Sequence, residues 1–256
     1  MQNSIEATQI GQNRTGLQTS PLSQEMTDSV QPVSAETAET SPLTAVRLDY
    51  IREAEPLGSI PPPATAKGVI KSAAKMLQGD RPQAFIDKLA ERLAYERGGT
   101  RLYDAVIAKF IAHEDELADA SLQELNEIRD EEASHAALIR ACIEQLGADP
   151  TAQTPSADLV GVATSGFLQA ATDPRTTLMQ TLQVALAAEL VDVASWETLI
   201  SMAENMGQTD MAERFRHALE HENEHVAKVR GWYESLALAT GELATQGKAK
   251  SRKKPN

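Results

Sequence analysis

Between about residue 82 and residue 240, apolar positions recur with the three-to-four spacing of helices, and no stretch alternates with the period of a strand. Four long helices are expected. The first has Pro82 in its first turn and reaches about His113. The second starts near Ser121, where Ser121-x-x-Glu124 reads as a capping box, and stops at Gly147. The third takes Asp173 as N-cap with Pro174 at the first helical position, and ends at Gly207. The fourth begins near Asp210 and reaches about Thr240, before Gly241. Residues 148–172 mix Pro, Thr, Ser and Gly around a short apolar stretch and read as a connection. Two helical hairpins joined by one long crossover make an all-α four-helix bundle over residues 81–240.

Outside the bundle the pattern breaks down. Residues 1–62 are rich in Gln, Ser, Thr, Glu and Pro without apolar periodicity, so they are expected to be disordered, closed by Pro61-Pro62-Pro63. Residues 63–80 hold a short amphipathic candidate helix, Thr65 to Leu77, and residues 241–256 a basic tail. Arg47 to Ser59 reads as a fraying linker, with a docking peptide as the less favoured alternative.

The chain has 256 residues, 41% of them hydrophobic, 24% charged and 4% aromatic, the profile of a globular helical protein. A net charge of −13 argues against nucleic acid as a partner. No uncharged apolar run is long enough to span a membrane, so none is expected as a partner. The first residues carry no basic start or apolar run, which makes a cytoplasmic location the expectation. Cys142 is the single cysteine, so an internal disulfide and CxxC metal chemistry are excluded.

The informative residues are carboxylates on apolar faces. Glu189 has Leu182, Ala185, Leu186, Val193 and Trp196 as helical neighbours, and Glu96 shares a face with Leu89, Leu93 and Tyr103. A buried lone carboxylate is costly unless paired, hydrogen-bonded or bound to a cation. The second and fourth helices each supply a partner set, Glu132-x-x-His135 and Glu222-x-x-His225, with both side chains on one face. One Glu-x-x-His is a weak motif. Here it sits inside a repeat: a glutamate, an aromatic residue two turns on (Tyr103, Trp196), then Glu-x-x-His at nearly the same interval. The midpoint between ligands falls in each hairpin at its expected turn, within His113 to Asp119 and beside Gly207. All six residues can therefore meet at one depth.

Glu96, Glu132-x-x-His135, Glu189 and Glu222-x-x-His225, in that order, resemble the ligand set of the ferritin-like di-iron or di-manganese carboxylate proteins. Tyr103 is similar to the tyrosine found there in bacterioferritins and rubrerythrins, and Asp192 stands where rubrerythrins carry an extra glutamate. No rubredoxin module accompanies the likeness. The resemblance implies a pair of Fe ions, with a pair of Mn ions as the alternative. Glu132 and Glu222 would bridge, Glu96 with His135 and Glu189 with His225 would be terminal, and Tyr103 would donate a hydrogen bond or an electron. Glu131 and His221, each preceding a bridging glutamate, are candidates to orient the imidazoles. Asp192 and Trp196 are candidates to flank the site, Trp196 being equally an ordinary core aromatic.

The implied activity is oxidation of Fe(II) by O2 or H2O2, in oxidative-stress defence or iron handling, by a homo-oligomer. Alternatives are a manganese catalase, a subunit of an iron-storage cage, and a metal-free helical interaction protein. Gly98-Gly99, in mid-helix beside Glu96, fits either close packing or a local bulge.

Overall fold

The computed structural model describes residues 42–55, 82–117 and 120–251, and among them every regular element is helical. The elements are α1 (Pro42–Glu53), α2 (Pro82–Ala112), a short 3-10 turn (Glu114–Glu116), α3 (Leu122–Gln145), α4 (Pro155–Thr172), α5 (Leu178–Asn205) and α6 (Thr209–Ser251). None of the described helices is long and apolar enough to cross a membrane. Helix α1 belongs to a different compact unit from α2 to α5 and most of α6.

Local chemistry sets the ends of the long helices. Ser121 caps α3: its hydroxyl accepts from the Glu124 amide at 3.1 Å, and the Glu124 carboxylate accepts from the Ser121 amide at 3.0 Å. Gly147 and Gly207 take positive φ values of 83° and 66° after α3 and α5, where a side chain would be strained. The following amides, Ala148 and Gln208, then reach back to the carbonyls of Ile143 and Ala203.

The structure corrects the sequence reading in four places. Residues 155–172, read as a connection, form α4, despite Gly161, Gly166 and several Ser and Thr. Packing on α2 compensates the poor propensity, and Asp87 of α2 accepts from the Ser156 amide (3.0 Å) and hydroxyl (2.6 Å) at its start. Asp173-Pro174 does not open α5. Thr177 does, through a capping box with Gln180, while Asp173 ends α4 and binds Arg175. Lys109 of α2 donates to the carbonyls of Asp173 and Thr176, both at 2.9 Å, and pins this turn. Helix α6 continues through Gly241 and Gly247 to Ser251, because each glycine among good helix formers costs only about 1 kcal/mol. Finally, Pro42–Glu53, inside the segment expected to be disordered, forms α1, with its described side chains almost all exposed. Thr65 to Leu77 lies outside the described residues.

Two apolar clusters fill the bundle. One gathers Tyr103, Val106, Phe110, Ile128, Leu182 and Val229, and the other Leu89, Leu93, Ile139, Trp196, Leu199 and Phe215. Each of the four long helices α2, α3, α5 and α6 passes from one cluster to the other. In the gap each carries carboxylates inward: Glu96 on α2, Glu132 on α3, Glu189 and Asp192 on α5, and Glu222 on α6.

Candidate metal centre

The six residues singled out from spacing meet in that gap. Glu96, Glu132, His135, Glu189, Glu222 and His225 are all buried, none more than 4% exposed. Ligand atoms of Glu132, Glu189, Glu222 and His225 lie within 4.8 Å of one another, and so do those of Glu96, His135 and Glu222. These two groups, and a third made of Glu96, Glu132, Asp192 and Glu222, overlap at Glu222, which faces both imidazoles: Oε1 is 2.7 Å from His135 Nδ1, and Oε2 3.2 Å from His225 Nδ1. His225 Nδ1 also lies 3.6 Å from both Glu132 Oε1 and Glu189 Oε2.

Each imidazole is held from outside by the residue preceding the opposite helix's inner glutamate. His225 Nε2 donates to Glu131 Oε2 at 2.7 Å, and His135 Nε2 lies 3.4 Å from His221 Nδ1. This leaves Nδ1 of both rings turned toward the carboxylates. Trp196 packs edge-on against His135, with ring centroids 5.5 Å apart. The Tyr103 hydroxyl donates to Glu189 Oε1 in a short hydrogen bond, which makes it a positioning residue for that carboxylate.

Asp192 also faces a cation. The buried Arg92 places Nε 2.7 Å from Glu96 Oε1 and Nη2 2.9 Å from Asp192 Oδ2, tying α2 to α5. Neither nitrogen is aligned for a hydrogen bond, so the attraction is Coulombic. The guanidinium also lies over the Tyr95 ring, 4.3 Å from its centroid, and Tyr95 donates to the Ala188 carbonyl at 2.7 Å. Neither this bridge nor Tyr95 is among the residues that the spacing picks out. The signal was there: Arg92 sits one turn before Glu96, and Asp192 one turn after Glu189.

Gly99 settles the question of the paired glycines. A Cβ there would collide with Glu132 Oε2 and stand 2.9 Å from Glu132 Cδ, whereas a Cβ on Gly98 would meet nothing within 4 Å. Gly99 therefore serves close approach of a carboxylate from α3 to the α2 backbone. Helix α2 runs unbroken through both glycines.

Burial dominates the electrostatics. It raises Glu96, Glu189 and Asp192, and pushes Glu132 up to about 8, with the nearby Glu222 adding to the effect. Burial also acts to raise Glu222, but its close contacts with His135 and His225 outweigh it and hold that carboxyl below its ordinary range. Burial likewise opposes charge on His225, yet its contacts to Glu132, Glu189 and Glu222 raise it well above an ordinary imidazole. Several inward atoms lack hydrogen-bond partners: Glu96 Oε2, Glu132 Oε2, Glu189 Oε2, Glu222 Oε1 and His135 Nδ1. Orphaned carboxylate and imidazole atoms converging on one buried point are the donor set that a cation would satisfy. Arg92 faces Asp192, so the four glutamates, once deprotonated, would carry the negative charge that a bound cation balances.

Among the described residues, fold and site define a helical protein with a buried carboxylate–histidine cluster able to hold metal. Residues 81–240 match the family described as Domain of unknown function (DUF892), and the chain belongs to that family. The matched segment contains every residue of the cluster. No curated protein and no solved structure gave a significant match.

Proposed function

We propose that the chain is a ferritin-like four-helix bundle whose cluster is a di-metal carboxylate centre, and that it oxidises Fe(II) with O2 or H2O2. The observation that carries this reading is the sharing of Glu222 between two overlapping ligand groups, each with its own glutamate–histidine pair. Hard oxygen donors with two imidazoles suit iron or manganese and not thiol-seeking metals. Bound there, a pair of iron ions would supply one electron each to the oxidant.

The chain's own residues do the rest. Glu131 and His221 fix which ring nitrogen faces inward, and Tyr103 fixes Glu189. The proton that His225 holds at Nδ1 in the metal-free protein offsets the carboxylates, and it must leave for that nitrogen to act as a ligand. Trp196, Ile139 and Phe215 on one side, and Ile128 and Val229 on the other, keep water from the polar layer.

The test is anaerobic Fe(II) loading followed by addition of H2O2 or O2, with bound metal counted by mass spectrometry. About two irons per chain and consumption of two Fe(II) per H2O2, with both lost in Glu189→Ala and His225→Ala, are the expected results. Full activity in both variants, or no metal uptake by the wild-type chain, would overturn the reading. Manganese in the isolated protein, with O2 released from H2O2, would replace it by a catalase.

A further inference from the structure

Helix α6 carries histidines at 217, 221 and 225, one turn apart on one face, and they follow a gradient of burial. His217 is exposed, His221 half-buried and His225 buried. The outer two line a recess of about 540 Å³ between α3 and α6, together with Glu131, Glu220 and the edge of His135. The recess opens on solvent and ends at one of the imidazoles of the buried cluster.

Its chemistry suits a cation. The His217 and His221 rings meet edge to face, with centroids 4.7 Å apart. Histidines four apart on a helix are a known geometry for chelating a divalent ion, because both imidazoles project from adjacent turns. His221 uses Nδ1 toward His135, which leaves it Nε2 for a ligand. The two arginines in the wall are already neutralised: Arg214 by Asp210 at 3.0 Å, and Arg216 by Glu204 and by Glu213 at 2.8 Å. Inward, His221 stacks on His135 with centroids 5.6 Å apart, so the next imidazole along the line belongs to the buried cluster.

We propose that His217 and His221 form a capture site for a divalent transition-metal cation at the mouth of the buried cluster, from which the ion passes inward along His135. The outer site stands on the recess and the histidine pair. The inward step rests on the reading of the preceding subsection. A captured ion is concentrated at the opening, which raises the rate of loading and leaves the final occupancy of the interior unchanged.

Anaerobic Co(II) binding to the full chain, followed by visible absorption and stopped-flow, tests this. His217→Ala is the clean variant, since the described contact of His217 is with the His221 ring, away from the cluster. His113→Ala, in the α2–α3 connection, is the control. The expected result is an outer class of Co(II) sites present in wild type and in the control, and absent in His217→Ala. That variant should also load its interior about tenfold more slowly at low Co(II), to the same final occupancy. Equal numbers of bound Co(II) and equal loading rates in wild type and His217→Ala would overturn the proposal. An outer class without interior ions would support the capture site and overturn the di-metal reading. No Co(II) bound anywhere would overturn both.

Discussion

The Glu132 carboxylate occupies the space that a side chain at position 99 would fill, so Gly99 and Glu132 are one structural unit across α2 and α3. Gly99→Ala should displace Glu132 from the cluster and lower metal affinity. Gly98→Ala next to it meets nothing, so it should gain about 1 kcal/mol of helix stability, roughly 2–4 °C in Tm. Calorimetry and Co(II) titration of both variants check this. Unchanged affinity in Gly99→Ala would show that Glu132 is not held where the ion binds.

Arg92 is the buried guanidinium that faces Glu96 and Asp192 in the metal-free protein. Arg92→Met leaves Asp192 and Glu96 facing each other without a counter-charge, with an expected cost of about 3–5 kcal/mol. Replacing the pair together, Arg92→Met with Asp192→Leu, should recover part of that loss, because the Asp192 charge goes with its partner while Glu96 still lacks one. Urea unfolding of the single and double variants gives the coupling. Additive losses would show that Arg92 and Asp192 do not act as a pair.

The long helices and the buried glutamate–histidine cluster were legible because they rest on periodicity. Residues three and four apart share a face whatever surrounds them, so Glu132-x-x-His135 and Glu222-x-x-His225 announced themselves. What the chain does across helices was not legible. Glu96 and Glu189 repeat one another, but the turns around them do not. One has Arg92 before it and Gly99 after it, where the other has Ala185 and Asp192. That asymmetry acquires meaning only when α2 and α5 are seen to exchange the Arg92–Asp192 bridge, and α3 to press Glu132 on Gly99. Helix α4 stayed hidden for a related reason. Its propensity is low, and its stability comes from α2, including the cap that Asp87 provides.

The metal-free protein should lose stability as pH rises. Glu132 is pushed by burial from its ordinary 4.5 up to about 8, and Glu96, Glu189 and Asp192 are raised in the same sense. His225, raised above its ordinary 6.5, also keeps its proton longer when folded. All these groups bind more protons folded than unfolded, so their contribution is complete below the unfolded values and fades as pH climbs through the folded ones. Glu222 opposes this only in acid, where its lowered value makes its contribution fade as pH falls. The expected Tm of the metal-free chain is highest near about pH 5 and several degrees lower at about pH 8. Bound divalent cations replace the protons and flatten the slope. A metal-free Tm that rises over this interval would contradict the assignment.

Tyr103→Phe removes the donor on Glu189 and leaves a buried carboxylate oxygen without a partner. The expected cost is about 1–3 kcal/mol, with the helical content unchanged. Co(II) affinity should fall with it, since Glu189 loses its fixed orientation. Circular dichroism melting and Co(II) titration are the measurements, and a variant as stable as wild type would remove Tyr103 from the site's support.

Glu131 separates a metal centre from a merely ionic core. Its side chain is 39% exposed, so as an ion pair with His225 it contributes little to folding in water. As the acceptor that fixes His225 Nε2–H, however, it decides which nitrogen faces Glu132, Glu189 and Glu222. Glu131→Ala should therefore leave the Tm of the metal-free chain within a degree or two of wild type and weaken metal binding about 10–100-fold. Glu131→Gln, whose side-chain carbonyl still accepts, should recover most of the affinity. If Glu131→Ala instead lowered the metal-free Tm strongly and left Co(II) affinity intact, the contact would be a structural ion pair, and the imidazole would owe its orientation to the surrounding carboxylates.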